Sequence, residues 1–311
     1  VNTAQQVEEE RQAILEGLLA EQKFINPKYF YNHKGSKLFE QITQLDEYYP
    51  TRTERKILLS KADEIANYIK RSALIVEPGA GSCKKIEFLL DALHPEVYVP
   101  QDVSKDFLEQ SSKRLSNDYP WLEVFPIASD FSQPINLPER YQHYKKYAFY
   151  PGSTIGNFEP DEAHIFLKQM RQLVGSEGGM ILGVDLHKDN DILHAAYNDN
   201  KGVTAQFNLN TLSHINEVLN SDFDVKKFEH HALYNSTQQR IEMYLRSQED
   251  QSYEVQGQKI VFEKGELVHT EHSYKYTLQG IASLAKESGF FLEESWLDNN
   301  ELFSVNYLSA I

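Results

Sequence analysis

A chain of 311 residues with 41% hydrophobic side chains has apolar surface enough for one large domain or two modest ones. A formal net charge of −15, with no basic cluster denser than Lys145-Lys146 or Lys226-Lys227, argues against a nucleic-acid partner, and no apolar run approaches the roughly 18 residues of a membrane span. The single cysteine, Cys83, excludes an intrachain disulfide and fits a reducing cytoplasm, and residues 1–22 lack a signal-peptide pattern.

Residues 7–21 carry Ile14, Leu15, Leu18 and Leu19 at helical spacing, and Asn26-Pro27 breaks the run. Leu38, Phe39 and Ile42 predict a second helix. A third is predicted to run to residue 68, capped by Thr51 or Thr53 with Glu54 in its first turn. From residue 74 the rhythm becomes α/β. Strands are predicted at 74–77, 96–99, 122–126, 147–150 and 180–184, with helices at 84–93, 104–115 and 161–173 between them. That alternation implies a parallel, doubly wound sheet. The order breaks over residues 188–264, which hold a helical piece at 211–219, a strand-like piece at 239–247 and a hairpin at 253–262 around Gly257. A helix at 276–288, Gly289, and two strands at 290–297 and 302–309 close the chain. A terminal helix and hairpin is the ending of class I methyltransferase sheets, and nicotinamide dehydrogenases usually lack it. The expected fold is therefore α/β: a Rossmann-like class I methyltransferase sheet with an antiparallel last strand, plus an inserted α+β lobe.

The strand ending in Leu74-Ile-Val-Glu77 runs into Pro78-Gly79-Ala-Gly81 and then a helix. Strand, glycine turn and helix in that order make a nucleotide-binding crevice. Glycine lets backbone approach a ligand closely, because no Cβ intervenes. Asp102 follows the second strand and can accept from ribose hydroxyls. Asp130-Phe131 follows the third and can accept from an adenine amino group while covering the ring. With Glu77 these are three acids at the carboxyl ends of three strands. A pocket of acids suits S-adenosylmethionine, which carries a sulfonium and no phosphate, better than a dinucleotide.

Five blocks then carry a resemblance. They are Tyr29-Phe-Tyr31-Asn-His-Lys-Gly35-Ser36, Glu47-Tyr-Tyr-Pro-Thr-Arg-Thr-Glu54, Gly152-Ser-Thr-Ile-Gly-Asn157, Gly202-Val-Thr-Ala-Gln-Phe-Asn208 and Arg240-Ile-Glu-Met-Tyr-Leu-Arg246. In order and spacing the chain from about Pro27 resembles the histidine-specific methyltransferases. Those enzymes convert L-histidine to its Nα-trimethyl betaine, hercynine, in ergothioneine biosynthesis. The resemblance implies two lobes: residues 51–187 and 276–311 for S-adenosylmethionine, residues 1–50 and 188–275 for substrate. It places Gly79, Gly81 and Lys85 in the cofactor loop, with Glu77 beside them, Asp102 at the ribose, and Asp130 and Phe131 at the adenine. Asn157 and Tyr197 match positions holding the amino and carboxylate end of the amino acid. Tyr31 and Tyr48 match pocket tyrosines, Tyr31 also being the candidate aromatic face for a quaternary ammonium. Thr204 and Met243 match the side-chain pocket, and Glu271 with Ser273 the pair that reads the imidazole. Asn157 and Tyr31 are the catalytic candidates.

Two departures stand out: Pro78 and Ala80 flank the first glycine, and Cys83 occupies the place of a third glycine. Relatives in the family act on other amino acids, so the alternative is N-methylation of a different amino acid or small amine. Glu271 with Ser273 favours histidine, since a carboxylate and a hydroxyl can serve both ring nitrogens, whereas an indole offers one N–H. Simpler roles compete residue by residue. Asn157 could cap a helix, Tyr197 anchor one, Tyr48 or Tyr49 fill the core, Met243 pack in a strand, and Glu271 and Ser273 edge a sheet. The histidines show no His-x-x-x-His or Cys-x-x-Cys spacing, so no metal site is expected. The expected partner is a small amino acid, with no nucleic acid or membrane, bound by a monomer.

Overall fold

The structure, a computed structural model, describes residues 4–129 and 135–311. Its helices are α1 (Ala4–Leu19), α2 (His33–Ile42), α3 (Tyr49–Ala66), α4 (Glu87–Leu93), α5 (Lys105–Asp118), α6 (Pro160–Val174), α7 (Asn190–Tyr197), α8 (Val203–Leu219) and α9 (Leu278–Glu287). Its strands are β1 (Leu74–Pro78), β2 (Val97–Asp102), β3 (Glu123–Val124), β4 (Ile127–Ala128), β5 (Lys146–Tyr150), β6 (Gly179–Asp185), β7 (Phe228–Asn235), β8 (Arg240–Ser247), β9 (Gln251–Val255), β10 (Gln258–Phe262), β11 (Leu267–Tyr274), β12 (Phe290–Leu297) and β13 (Phe303–Ala310). The chain forms two compact units, the first of Val1–Tyr49 and Lys188–Ser273, the second of Pro50–His187 and Tyr274–Ile311.

The second unit is built on an eight-stranded sheet in the order β12-β13-β6-β5-β1-β2-β3, with β4 also on β2. Pairs β2–β1, β1–β5 and β5–β6 are parallel, and β13 inserts antiparallel between β6 and β12. This is the class I methyltransferase order. Strands β1 and β6 are buried along their whole length, which is why they read as unbroken apolar runs. Alternation along β5 sends Tyr147 and Phe149 to the core under α3 and α4, and Ala148 and Tyr150 to the core under α6 and α9.

The third strand, expected as one piece, is split. Its halves pair with β2 at Val97↔Glu123 and Gln101↔Ile127, so Pro100 and Pro126 fall at the gap between them. Neither can donate a ladder hydrogen bond. Helix α3 begins at Tyr49, ahead of both proposed caps, so Glu54 lies beyond its first turn. Helix α9 begins at Leu278 because the Thr277 hydroxyl accepts from Gly280 N (3.0 Å).

Where β6 ends, Asp185 meets Lys275 Nζ at 2.7 Å, both side chains 1% exposed. Removing one member of such a pair takes the ion-pair partner from a buried charge. Lys275→Met should therefore cost about 3–5 kcal/mol of stability, read as a fall in the urea midpoint. A loss under about 1 kcal/mol would mean that solvent or other groups already satisfy Asp185.

In the first unit α1 and α8 cover two small sheets, β11-β8-β7 and β10-β9. Ile14, Leu15 and Leu18 of α1 join Leu212, Ile215 and Leu219 of α8 over Leu245, Val255, Ile260 and Phe262. The hairpin around Gly257 turns through Gln256 (φ +51) and Gly257 (φ +76), the two positive angles a two-residue turn needs. Helix α8 starts eight residues before the predicted piece, at Val203. Asp199 sets that start by accepting from Val203 N (2.9 Å) and Thr204 N (2.8 Å). Burial alone would raise the Asp199 carboxyl, but these N–H groups outweigh it and hold it low.

Candidate active site

In the second unit the chain leaves β1 through Gly79 (φ +67) and Gly81 (φ +52). Cys83, at φ +54, takes the left-handed conformation that suits a glycine, in the place where a third glycine was expected. It is buried, and burial, followed by the Glu77 charge, pushes its thiol up to about 12, so it packs rather than reacts. This detour delays the helix, so α4 starts at Glu87 instead of residue 84. Arg114 braces the turn, donating to Ser82 O (3.1 Å) and Glu87 Oε1 (2.6 Å).

Asp102 faces the same turn. Gly81 N donates to its Oδ2 (3.0 Å) and Ser104 N to its Oδ1 (2.9 Å). A carboxylate offers about four lone-pair positions, so each oxygen retains capacity for one ribose hydroxyl. A Cβ placed on Gly81 would meet no atom within 4 Å, so the backbone there is open to a ligand. Lys85 Nζ donates to Glu54 Oε2 (2.8 Å).

Glu77 is buried and accepts from Tyr98 OH at 2.5 Å. Burial raises its carboxyl to about 8; the Tyr98 hydrogen bond and the Lys85 charge pull the other way, and Glu54 and Asp102 add to the rise. A raised carboxyl keeps its proton in the folded chain after the unfolded chain has lost it. Between pH 4.5 and about 8 this group therefore lowers stability as pH rises, by up to about 1.4 kcal/mol per pH unit. Glu77→Gln keeps an acceptor for Tyr98 and should flatten that slope in the ligand-free protein. The same melting-temperature slope in parent and variant would assign it to other groups.

Asn157 ends the short turn Thr154–Asn157 that follows β5 and is half-buried. It does not cap α6. Glu159 does, in a capping box where Glu162 reaches back to Glu159 N (3.0 Å). Asp130 and Phe131 lie outside the described residues.

The first unit holds a cavity lined by Tyr31, Phe39, Ile42, Tyr48, Ala196, Tyr197, Thr204, Phe207, Met243 and Glu271. Six of these were singled out in the sequence: Tyr31, Tyr48, Tyr197, Thr204, Met243 and Glu271. Its walls are aromatic, with ring centroids 5.8 Å apart for Tyr31–Phe207, 6.4 Å for Phe39–Tyr48 and 6.3 Å for Tyr48–Tyr197. The cavity has a volume of about 30 Å³ and is partly open to its surroundings. Tyr31, one of its walls, is 43% exposed. Its place depends on Gly35, where any Cβ would overlap the Phe30 carbonyl as α2 turns off the preceding segment. Tyr49, next to Tyr48, is buried core. Glu271 and Ser273 are both buried and share one face of β11, whereas Thr270 points the other way.

That opposite face explains how the cavity is held. Asn208, fully buried on α8, donates to Tyr244 O (2.9 Å), and its Oδ1 lies 2.8 Å from the Thr270 hydroxyl. His230 contacts Tyr197 O through Nε2 and Asn208 Nδ2 through Nδ1, both at 2.9 Å. A carbonyl can only accept, so Nε2 carries the proton and Nδ1 accepts. Burial lowers the His230 pKa, which favours this neutral form. One network thus fixes α7, α8, β7, β8 and β11 around the cavity.

The family described as "Histidine-specific methyltransferase, SAM-dependent" matches residues 10–310. The chain belongs to that family. It is 37% identical over 302 residues to the histidine N-alpha-methyltransferase of Mycobacterium tuberculosis, covering 95% of this chain and 93% of the relative. It is 36% identical over 295 residues to the enzyme of the same name from Mycolicibacterium smegmatis, covering 93% and 91%. A solved structure of a possible exported protein from Bordetella parapertussis superposes with a TM-score of 0.52 at 8% identity, over 97% of this chain and 79% of that one. That last likeness concerns the fold alone.

Within this methyltransferase, four cavity residues escaped the sequence reading: Phe39, Ile42, Ala196 and Phe207. Phe39 and Ile42 signal only a helix in the sequence. Phe207 had a signal, standing three residues after Thr204 and so on the same helical face.

Proposed function

We infer that this methyltransferase transfers methyl groups from S-adenosylmethionine to the α-amino nitrogen of L-histidine, yielding hercynine, as a step of ergothioneine biosynthesis. The observation that carries the substrate assignment is the placing of Glu271 in an aromatic-walled cavity, with Ser273 on the same strand face, in a chain of the histidine-specific family. Asp102 beside an open glycine turn fits a cationic, phosphate-free donor. When bound, S-adenosylmethionine supplies an electrophilic methyl carbon on sulfur.

The side chains do the rest. Glu271 accepts an imidazole N–H and Ser273 serves the second ring nitrogen. Asn157, an uncharged amide, orients the amine without stabilising its protonated form. Burial lowers the amine pKa and exposes the lone pair needed for attack. Tyr197 holds the carboxylate end. Thr204 and Met243 bound the ring. Tyr31 and Tyr48 present faces to the growing quaternary ammonium, worth about 0.5–2 kcal/mol each. Orientation and proximity then supply most of the acceleration.

The test is incubation with S-adenosylmethionine and each of the twenty amino acids, read by mass spectrometry. Histidine alone should gain one, two and three methyl groups. Preferred methylation of any other amino acid would overturn the substrate assignment.

A further inference from the structure

Glu54 has no part in the chemistry described so far, yet its carboxylate is held by two hydrogen bonds beside the cofactor loop. Its side chain is 1% exposed. Oε1 accepts from Gly152 N at 2.6 Å, and Oε2 accepts from Lys85 Nζ at 2.8 Å. One carboxylate of α3 thus ties the loop after β1 to the loop after β5. Two glycines make the room. A Cβ on Gly183 of β6 would collide with Glu54 Oε1, and a Cβ on Gly152 (φ +83) would come within 2.6 Å of Lys85 Nζ.

Stapling two loops needs no cation at the surface, but the Lys85 side chain remains 32% exposed. An ammonium has three donors, and Glu54 takes one. The others suit an anionic group, and the donor has one such group, the carboxylate of its amino-acid end.

We propose that Glu54 is a positioning residue of the donor site, fixing the Lys85 ammonium and the Gly152 backbone so that Lys85 binds the carboxylate of S-adenosylmethionine. This rests on the reading that the turn from Gly79 to Lys85 holds that donor. Buried on one side by Glu54, the ammonium is held at one point instead of sweeping through its rotamers.

The test measures affinity by calorimetry on the full chain with two ligands, S-adenosylmethionine and its decarboxylated form. The parent should prefer the carboxylate-bearing ligand by about tenfold or more. E54Q keeps an acceptor for Gly152 but loses the charge. It should cut the preference to about threefold or less, chiefly by weakening S-adenosylmethionine. K85M should do the same, and adding E54Q to K85M should leave both affinities within about twofold. Equal weakening of both ligands by E54Q, or an unchanged preference, overturns the proposal. Should E54Q alone not fold, the double variant, which has no unpaired charge, is compared with K85M, and a further loss for the decarboxylated ligand overturns it too. A parent that binds neither ligand refutes the donor-site reading itself. A parent that binds both equally leaves that reading standing and removes the role of Lys85 and Glu54.

Discussion

Glu271→Ala should lower kcat/KM for histidine by about 10- to 150-fold while leaving the dissociation constant of S-adenosylmethionine within about twofold. The first figure is the worth of one hydrogen bond to a charged group, about 1.5–3 kcal/mol, expressed as a rate ratio. The second follows from location, because Glu271 lines the cavity of the first unit and Asp102 stands at the glycine turn of the second. The variant should also lose discrimination. A site that pairs both ring nitrogens rejects rings that cannot answer, since an unmatched buried carboxylate is costly. Removing the carboxylate should therefore raise the relative rate on apolar aromatic amino acids. Glu271→Gln, which keeps size and one acceptor, should fall between parent and alanine. Equal loss of histidine turnover and cofactor affinity in the alanine variant would make Glu271 a structural residue.

Asp102→Ala should do the converse, weakening S-adenosylmethionine by about 100-fold, the scale of one to two charge-assisted hydrogen bonds. At saturating cofactor the KM for histidine should stay within about threefold. The structure sharpens this expectation, because Asp102 also accepts from Gly81 N and Ser104 N. Alanine therefore frees the turn as well as removing the acceptors. Asp102→Asn retains one acceptor oxygen and should show the smaller loss. Affinity equal to the parent in the alanine variant would refute the pocket at this turn.

The sheet was largely legible, because its central strands β1, β2, β5 and β6 are buried along nearly their whole length and print as apolar runs. Residues 290–297 were named as a strand and β12 spans the same positions. Less legible were places where a single conformation or a distant partner moved a boundary. Cys83 in the left-handed region held back α4, opposed prolines split the third strand, and Asp199 started α8 early. Three elements of the first unit, α7, β7 and β11, were not predicted as such. Their residues alternate weakly, since β7 is only intermittently buried. The cavity shows the same limit. Periodicity says that Phe39 and Phe207 are apolar and inward. It does not say that inward means toward a cavity lined also by Tyr48, Met243 and Glu271.

The order of strands, glycine turn, terminal hairpin and motif blocks, all local patterns, carried the fold class and the family. Tertiary structure alone decided which distant residues share a hydrogen bond or a wall. Asn208, His230 and Thr270 form one network only because α8, β7 and β11 pack together, and Glu54 reaches Lys85 and Gly152 only because two glycines leave it space. Local sequence encodes backbone preference and burial, whereas the pairing of side chains far apart in the chain is set by how the elements close on one another.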